Sequence, residues 1–364
     1  MSFVLVTGAT GFIGASVVDK LLEAGYSVRG TARSQKIDKL RAAYKSYGDK
    51  FEAAVVDDVA TSDWTDAFRD VRALIHIASP LGNGDAPEYV LRVIKSLLHT
   101  QFVLISRQSA IEGTRRVLEA AGAAGVQKVV FTGSISATYD SSKSIWRDLL
   151  VSETSWNPLK REDALKPDAS LIEYYSVSKK LAEEEVWKFA KEHPEVDVTT
   201  ILPTYVYGPL SPHQVDRTTA FLKSTNSLIL FMFNEKRPFS ELAKMLDFIV
   251  PGFIHIEDVA TAHVRALEIP PSAMPKRIIA SSGHMDLKDA IEHLAKVRPQ
   301  LRDTLPDVST AARRDPHLRF DGSTMQTVLG MRDLKGWQET LENAVDDILF
   351  LQEQASREAQ ARNT

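Results

Sequence analysis

The first fourteen residues restrict the fold of this chain more than any other stretch. Phe3-Val4-Leu5-Val6 is a short, wholly apolar run of the kind that becomes a parallel strand covered on both faces. Thr7-Gly8-Ala9-Thr10-Gly11-Phe12-Ile13-Gly14 follows at once, and Ile13, Val17, Val18, Leu21 and Leu22 then recur at helical spacing up to Gly25, a C-terminal cap. The pattern predicts strand, tight turn, helix. Gly8 permits the turn, Gly11 lets the backbone approach a pyrophosphate and Gly14 lets helix and strand pack closely, while the helix N-terminus supplies amide donors and the positive end of its dipole. Thr10, Phe12 and Ile13 stand between these glycines and are expected to border the same phosphates. In this context the motif points to a dinucleotide; without it, the glycines would mean a turn needed only for packing.

The next strand chooses between the two nicotinamide cofactors. Proteins that bind NAD place an Asp or Glu about 20 residues beyond the glycines, on the ribose 2′-hydroxyl. Here Tyr26-Ser27-Val28-Arg29-Gly30-Thr31-Ala32-Arg33 ends without a carboxylate, and Ala32-Arg33-Ser34 offers a guanidinium and a hydroxyl, with Lys36 and Lys39 close behind. That set suits the extra phosphate of NADPH. The competing reading, a solvated basic turn, stays open for Lys36 and Lys39. Ala54-Val55-Val56-Asp57-Asp58-Val59 reads as a third strand, which would bring Asp58 and Val59 near the adenine.

Further along stand His76-Ile77-Ala78-Ser79-Pro80, Ala110-Ile111-Glu112-Gly113-Thr114, Phe131-Thr132-Gly133-Ser134, Tyr175-Ser176-Val177-Ser178-Lys179 and Val206-Tyr207-Gly208-Pro209. With the opening glycines, and in this order, they resemble the extended short-chain dehydrogenases/reductases, more narrowly the dihydroflavonol-reductase-like branch and the fungal NADPH-dependent carbonyl reductases within it. The resemblance runs from the first strand to at least Glu268. It implies a Rossmann-type, doubly wound parallel sheet with a smaller C-terminal substrate-binding lobe, NADPH as cofactor, and an aldehyde or ketone as the small-molecule substrate. It further implies that Ala78 and Ser79 lie beside the cofactor, that Pro203 and Val206 belong to the segment meeting the nicotinamide carboxamide, and that Lys179 holds the nicotinamide ribose. The chain departs from the pattern at Leu202, where relatives commonly have Asn, and at Ala110-Ile111-Glu112, where many have an Asn used in a proton relay.

The chemistry expected of such a site follows from the reaction itself. Hydride delivery to a carbonyl carbon leaves negative charge on oxygen, which requires a proton donor and a hydrogen-bond donor aimed at that oxygen. Tyr175 and Ser134 are the candidates, with Lys179 as the third catalytic residue. A free tyrosine, with a pKa near 10, is a weak acid, and the Lys179 cation one helical turn away is expected to lower that value. Tyr175 and Lys179 share a helix face, continued toward the core by Ala182, Val186 and Phe189, while Glu183, Glu184, Glu185 and Lys188 read as a mostly solvated surface. Tyr174 and Ser136 are the neighbouring alternatives; Ser178 rather than a base stands four positions after Tyr174. His76 reads as a packed, hydrogen-bonded residue. No metal site is expected: His255, Glu257, Asp258 and His263 have neither a cysteine nor a His-Glu-x-x-His pattern beside them.

Composition bounds the remaining possibilities. A chain of 364 residues with 44% hydrophobic and 25% charged content can bury a large core. A net charge of −4 argues against nucleic acid or an anionic membrane as partner. The absence of Cys removes disulfides and thiolate catalysis. Residue 3 already enters the first strand, so no signal peptide is expected, and the apolar run Leu228 to Phe233 is too short to span a bilayer. The reading is a cytoplasmic, soluble monomer or homodimer.

Residues 1–205 with 253–280 are expected to form the cofactor domain, 206–252 with 281–351 the substrate lobe, and 352–364 a polar tail that frays. Two other functions compete: an NAD-dependent nucleotide-sugar epimerase or dehydratase, disfavoured by Arg33, and a non-catalytic dinucleotide sensor, disfavoured by the intact Ser134, Tyr175 and Lys179. Between Pro80 and Ala110, the resemblance implies roughly a dozen extra residues around Val90 to Arg107, an unusually apolar connection. It reads either as a lid over the substrate or as a segment foreign to the fold.

Overall fold

Short runs make the strands, in chain order β1 (Phe3–Thr7), β2 (Ser27–Ala32), β3 (Phe51–Val55), β4 (Val71–His76), β5 (Lys128–Thr132), β6 (Leu149–Val151), β7 (Asp197–Pro203), β8 (Tyr205–Tyr207), β9 (Gly252–His255), β10 (Arg277–Ala280), β11 (Gly283–His284) and β12 (Leu318–Phe320). The computed structural model describes residues 2–78, 100–166, 168–246, 252–312 and 318–362. The expected sites Ser79 and most of the apolar connection fall outside them. Seven strands form one parallel sheet in the order β10-β7-β5-β4-β1-β2-β3. The chain moves from β1 to β3 in one direction and then crosses to β4 on the other side of β1. That reversal opens a crevice at the carboxyl ends of β1 and β4, where open α/β sheets bind their ligands.

Helices α1 (Phe12–Glu23), α2 (Ser34–Ala43), α3 (Thr100–Ala123), α4 (Leu171–Glu192), α5 (Arg217–Leu222), α6 (Asn226–Leu230), α7 (Phe239–Met245), α8 (Ile256–Glu268), α9 (Leu287–Val297), α10 (Ser323–Thr327) and α11 (Trp337–Arg362) complete the described regular structure. Val17, Val18 and Leu21 of α1 and Val259, Ala260 and Ala262 of α8 pack on one face of the sheet; Val117, Leu118 and Ala121 of α3 and Ala182, Val186 and Phe189 of α4 cover the other. A separate core gathers Phe221, Ile229, Leu242, Leu294, Leu341 and Ile348 from the later helices. Met325 and Leu329, from the stretch expected in the lobe, instead join the core of the main sheet. Among the described residues no helix is long and apolar enough to cross a membrane.

Three local expectations differ from the structure. β3 is Phe51–Val55 rather than Ala54 to Val59, because its ladder with β2 runs from Val28↔Phe51 to Ala32↔Val55 and β2 ends there, where Arg33 caps α2. Asp57 then accepts hydrogen bonds from the backbone N (2.7 Å) and hydroxyl (2.8 Å) of Ser34, and the Asp58 carboxylate accepts one from Ala60 N in the following turn (2.7 Å). Glu183 is not solvated: it is fully buried and accepts from Arg277 Nε (2.7 Å) and Nη2 (3.0 Å), Thr200 Oγ1 (3.1 Å) and Trp187 Nε1 (3.2 Å). The pair fixes α4 against β7 and β10. The tail also stays helical to Arg362, although the side chains of residues 352–358 are exposed.

Candidate active site

The glycine turn is tight and closely packed. Gly8 sits at φ +72°, and a Cβ there would lie 3.1 Å from the backbone N and Cα of Ala78; one on Gly14 would lie 2.0 Å from the Gly8 carbonyl oxygen. α1 therefore packs directly on the turn, as the spacing predicts. Its N-cap, Gly11, brings no side-chain hydrogen bond, and its first turn carries no acid, so no side-chain anion of that turn offsets the positive end of the helix dipole. Thr7 locks the neighbouring segment. Its hydroxyl accepts from the amides of Ile77 and Ala78, both at 3.0 Å, and so donates to His76 Nδ1 at 2.7 Å. His76 consequently carries its proton on Nε2, 3.4 Å from Thr114 Oγ1, and burial, followed by the nearby Lys179 charge, pulls its pKa down to about 3. It is a neutral packing residue.

Ser134 leaves the sheet immediately after β5. A Cβ on Gly133 would lie 2.4 Å from Leu202 Cδ2, so the glycine is what admits the large residue found at 202. Ser134 caps a single 3₁₀ turn, Ile135–Ala137, and its Oγ accepts from Ser136 N (3.2 Å) and Ser136 Oγ (2.9 Å). With two donors pointing at it, the hydroxyl has its own proton to give. Across from it, α4 begins with a capping box, in which the Ser170 hydroxyl accepts from Glu173 N (3.3 Å) and the Glu173 carboxylate accepts from Ser170 N (2.7 Å). This fixed start and the Glu183 anchor set the rotation of the helix. Tyr175 then comes close enough to Ser134 for the serine hydroxyl to favour its ionised form, and Lys179 Nζ lies 5.7 Å from the Tyr175 ring centre.

The electrostatics differ from expectation. Burial raises the Tyr175 pKa above its ordinary value, and the hydrogen bond from Ser134 offsets this only in part. Burial also draws Lys179 down to about 8. Desolvation is the leading cause of both shifts. Both residues nevertheless keep some accessible surface.

The remaining expected residues are more dispersed. Arg33 caps α2 at the end of β2, and Lys36 lies one turn into that helix. Val59 packs on α3, where a Cβ on Gly113 would come within 2.5 Å of it. Pro203 ends β7, and Val206 is buried in β8. His255 and His263 have separate partners: His255 Nδ1 accepts from Glu257 N (3.1 Å), whereas His263 bonds Val259 O and Thr132 Oγ1, both at 2.7 Å. Reading the sequence missed Gln214, whose amide donates to Thr10 O (2.8 Å) in the glycine turn from 204 positions away. No local pattern encodes such a contact.

Comparison with known proteins agrees with this arrangement. A model of the NAD dependent epimerase/dehydratase family matches residues 4–280. A putative uncharacterized oxidoreductase of Schizosaccharomyces pombe is 34% identical over 311 residues, 84% of this chain and 84% of the relative. An NADPH-dependent methylglyoxal reductase of Saccharomyces cerevisiae is 27% identical over 358 residues, 95% of this chain and 98% of the relative. The crystal structure of the yeast methylglyoxal/isovaleraldehyde reductase complexed with NADPH has a TM-score of 0.76 at 25% identity, covering 96% of this chain and 99% of that one. With a glycine turn at the switch of a parallel sheet, and a family match over more than half its length, the chain belongs to the NAD dependent epimerase/dehydratase family, among the extended short-chain dehydrogenases/reductases.

Proposed function

We propose that this oxidoreductase reduces the carbonyl of an aldehyde or ketone to an alcohol with NADPH, and that Tyr175 donates the proton. The observation that carries the reading is the convergence of Ser134, Tyr175 and Lys179, from two different elements, at the carboxyl end of the sheet. Gly8, Thr10, Gly11, Phe12, Ile13 and Gly14 would hold the pyrophosphate, Arg33 with Lys36 the 2′-phosphate, and Lys179 the nicotinamide ribose. Asp58 and Val59 would border the adenine, and Ala78, Pro203 and Val206 the nicotinamide end.

NADPH, when bound, supplies the hydride for the carbonyl carbon. Tyr175 gives its phenolic proton to the oxygen on which charge develops, and Ser134 donates a hydrogen bond to the same oxygen. The Lys179 cation stabilises the phenolate that remains. Because burial keeps Tyr175 protonated at neutral pH, the donor is loaded before the substrate arrives. The core formed by residues such as Phe221, Ile229 and Leu341 supports the lobe that would close on the substrate.

The test is NADPH oxidation against a panel of aldehydes, ketoesters, diketones and flavonoid ketones, with the cofactor that copurifies identified in parallel. At least one substrate should be turned over with NADPH and much more slowly with NADH. Tightly bound NAD with no net turnover would refute the reading and favour an epimerase or dehydratase; binding without any reaction would favour a sensor.

A further inference from the structure

The segment between β8 and α5 belongs by position to the later lobe, yet it is fastened to the cofactor-binding half at three points. Ser211 Oγ and His213 Nδ1 donate to the buried Asp19 carboxylate of α1 at 2.5 and 2.9 Å. Gln214 donates to Thr10 O, as described. Asp216 then places its carboxylate between two lysines of α2, 3.1 Å from Lys36 Nζ and 2.5 Å from Lys39 Nζ. The next residue, Arg217, turns the other way and pairs with Asp347 of α11 at 2.6 Å.

Two features set Asp216 apart from an incidental surface partner. Its backbone is left-handed, φ +51°, a conformation that costs an ordinary residue energy and that Asp and Asn tolerate better than most. One carboxylate also serves two lysines, which hold its pKa below the usual range, Lys39 foremost. Lys36 is one turn from Arg33, at the helix start where the 2′-phosphate is expected. A phosphate arriving there meets cations that already have an anion.

We propose that Asp216 is a specificity-determining residue of the cofactor site, an internal anion that competes with the 2′-phosphate of NADPH for Lys36 and Lys39. It thereby moderates the preference for NADPH over NADH and eases release of the oxidised cofactor. The proposal rests on the reading that these lysines face the 2′-phosphate, and the experiment separates the two. NADH, which lacks that phosphate, is indifferent to the competition. Because all three side chains keep contact with solvent, the effect is modest and falls with ionic strength.

The experiment titrates NADPH and NADH, by fluorescence, into four proteins: the natural chain, Asp216→Asn, Lys36→Met with Lys39→Met, and the triple variant. Asn suits the left-handed backbone, so the fold is kept; Asp216→Gly, equally at ease there, repeats the measurement if it is not. Asp216→Asn should tighten NADPH by about three- to tenfold at low ionic strength, leave NADH within about twofold, and lose its gain in the triple variant and in high salt. If the double lysine variant binds NADPH as tightly as the natural chain, the phosphate reading of the lysines fails and the proposal with it. If that variant binds NADPH weakly but Asp216→Asn leaves NADPH unchanged or weaker, or tightens both cofactors equally, the proposal alone is overturned.

Discussion

Tyr175→Phe separates a proton donor from a packing residue because the two roles differ in magnitude. The substitution removes one oxygen and leaves the ring 5.7 Å from the Lys179 ammonium. Ser134 still accepts from Ser136 N and Oγ at 3.2 and 2.9 Å, so its position does not depend on Tyr175. The structural cost is that of one hydrogen bond, about 1 kcal/mol. Removing a general acid costs about 10²- to 10⁴-fold in rate, which corresponds to about 2.7 to 5.4 kcal/mol of barrier. The assay is single-turnover oxidation of enzyme-bound NADPH by an aldehyde that the natural enzyme reduces, with thermal unfolding and NADPH titration as controls. Turnover should collapse while unfolding temperature and affinity barely move, and Tyr174→Phe should stay close to the natural rate. A Tyr175→Phe enzyme that keeps more than about a tenth of the natural rate, with binding intact, would refute the assignment.

Arg33→Ala should weaken NADPH by about ten- to 150-fold, the equivalent of about 1.5 to 3 kcal/mol for a charge-assisted contact, and leave NADH almost unchanged; equal losses in a parallel titration would make Arg33 a structural residue. On the proposed mechanism, reduction needs Tyr175 protonated and Lys179 charged, and burial draws the Lys179 pKa down to about 8. The pH profile of reduction should therefore be flat through neutrality and fall above about pH 8, while alcohol oxidation, which needs the phenolate, should rise with pH; a reductive profile that climbs into the alkaline range would contradict this. Glu183→Ala strands the buried Arg277 guanidinium and should cost about 3 to 5 kcal/mol in urea unfolding, with α4 and hence Tyr175 displaced; a loss below about 1 kcal/mol would mean the pair does not anchor the helix.

What the sequence conveyed about the fold depended on how local each signal was. β1 and the glycine turn were legible because apolar run, turn and helical stripe lie within 23 residues and each supports the others. The limits of β3 were not, since the run at Ala54 to Val56 is apolar enough for a strand but the partner strand, β2, stops at Ala32. Glu183 failed for a related reason. A carboxylate on a long helix reads as solvated, and the partner that buries it, Arg277, stands 94 positions away. Asp216 and Lys39, 177 positions apart, lie beyond any pattern of the same kind.

The three proposed catalytic residues were legible from spacing and order; their protonation was not. The i, i+4 arrangement suggests that a lysine cation depresses the tyrosine, but the structure surrounds both with protein, and loss of water moves the phenol up and the ammonium down. A depressed phenol is not what carbonyl reduction demands. The oxygen that receives the proton would become an alkoxide, a far stronger base than an ordinary phenolate, so the proton donor need not be a depressed phenol. A raised Tyr175 keeps the donor fully loaded at neutral pH, and a Lys179 still charged there stabilises the phenolate that forms. The same shift penalises the reverse reaction, which must begin from that phenolate. On the proposed mechanism, burial of the pair would bias this site toward reduction near neutrality, through the protonation state of these two side chains.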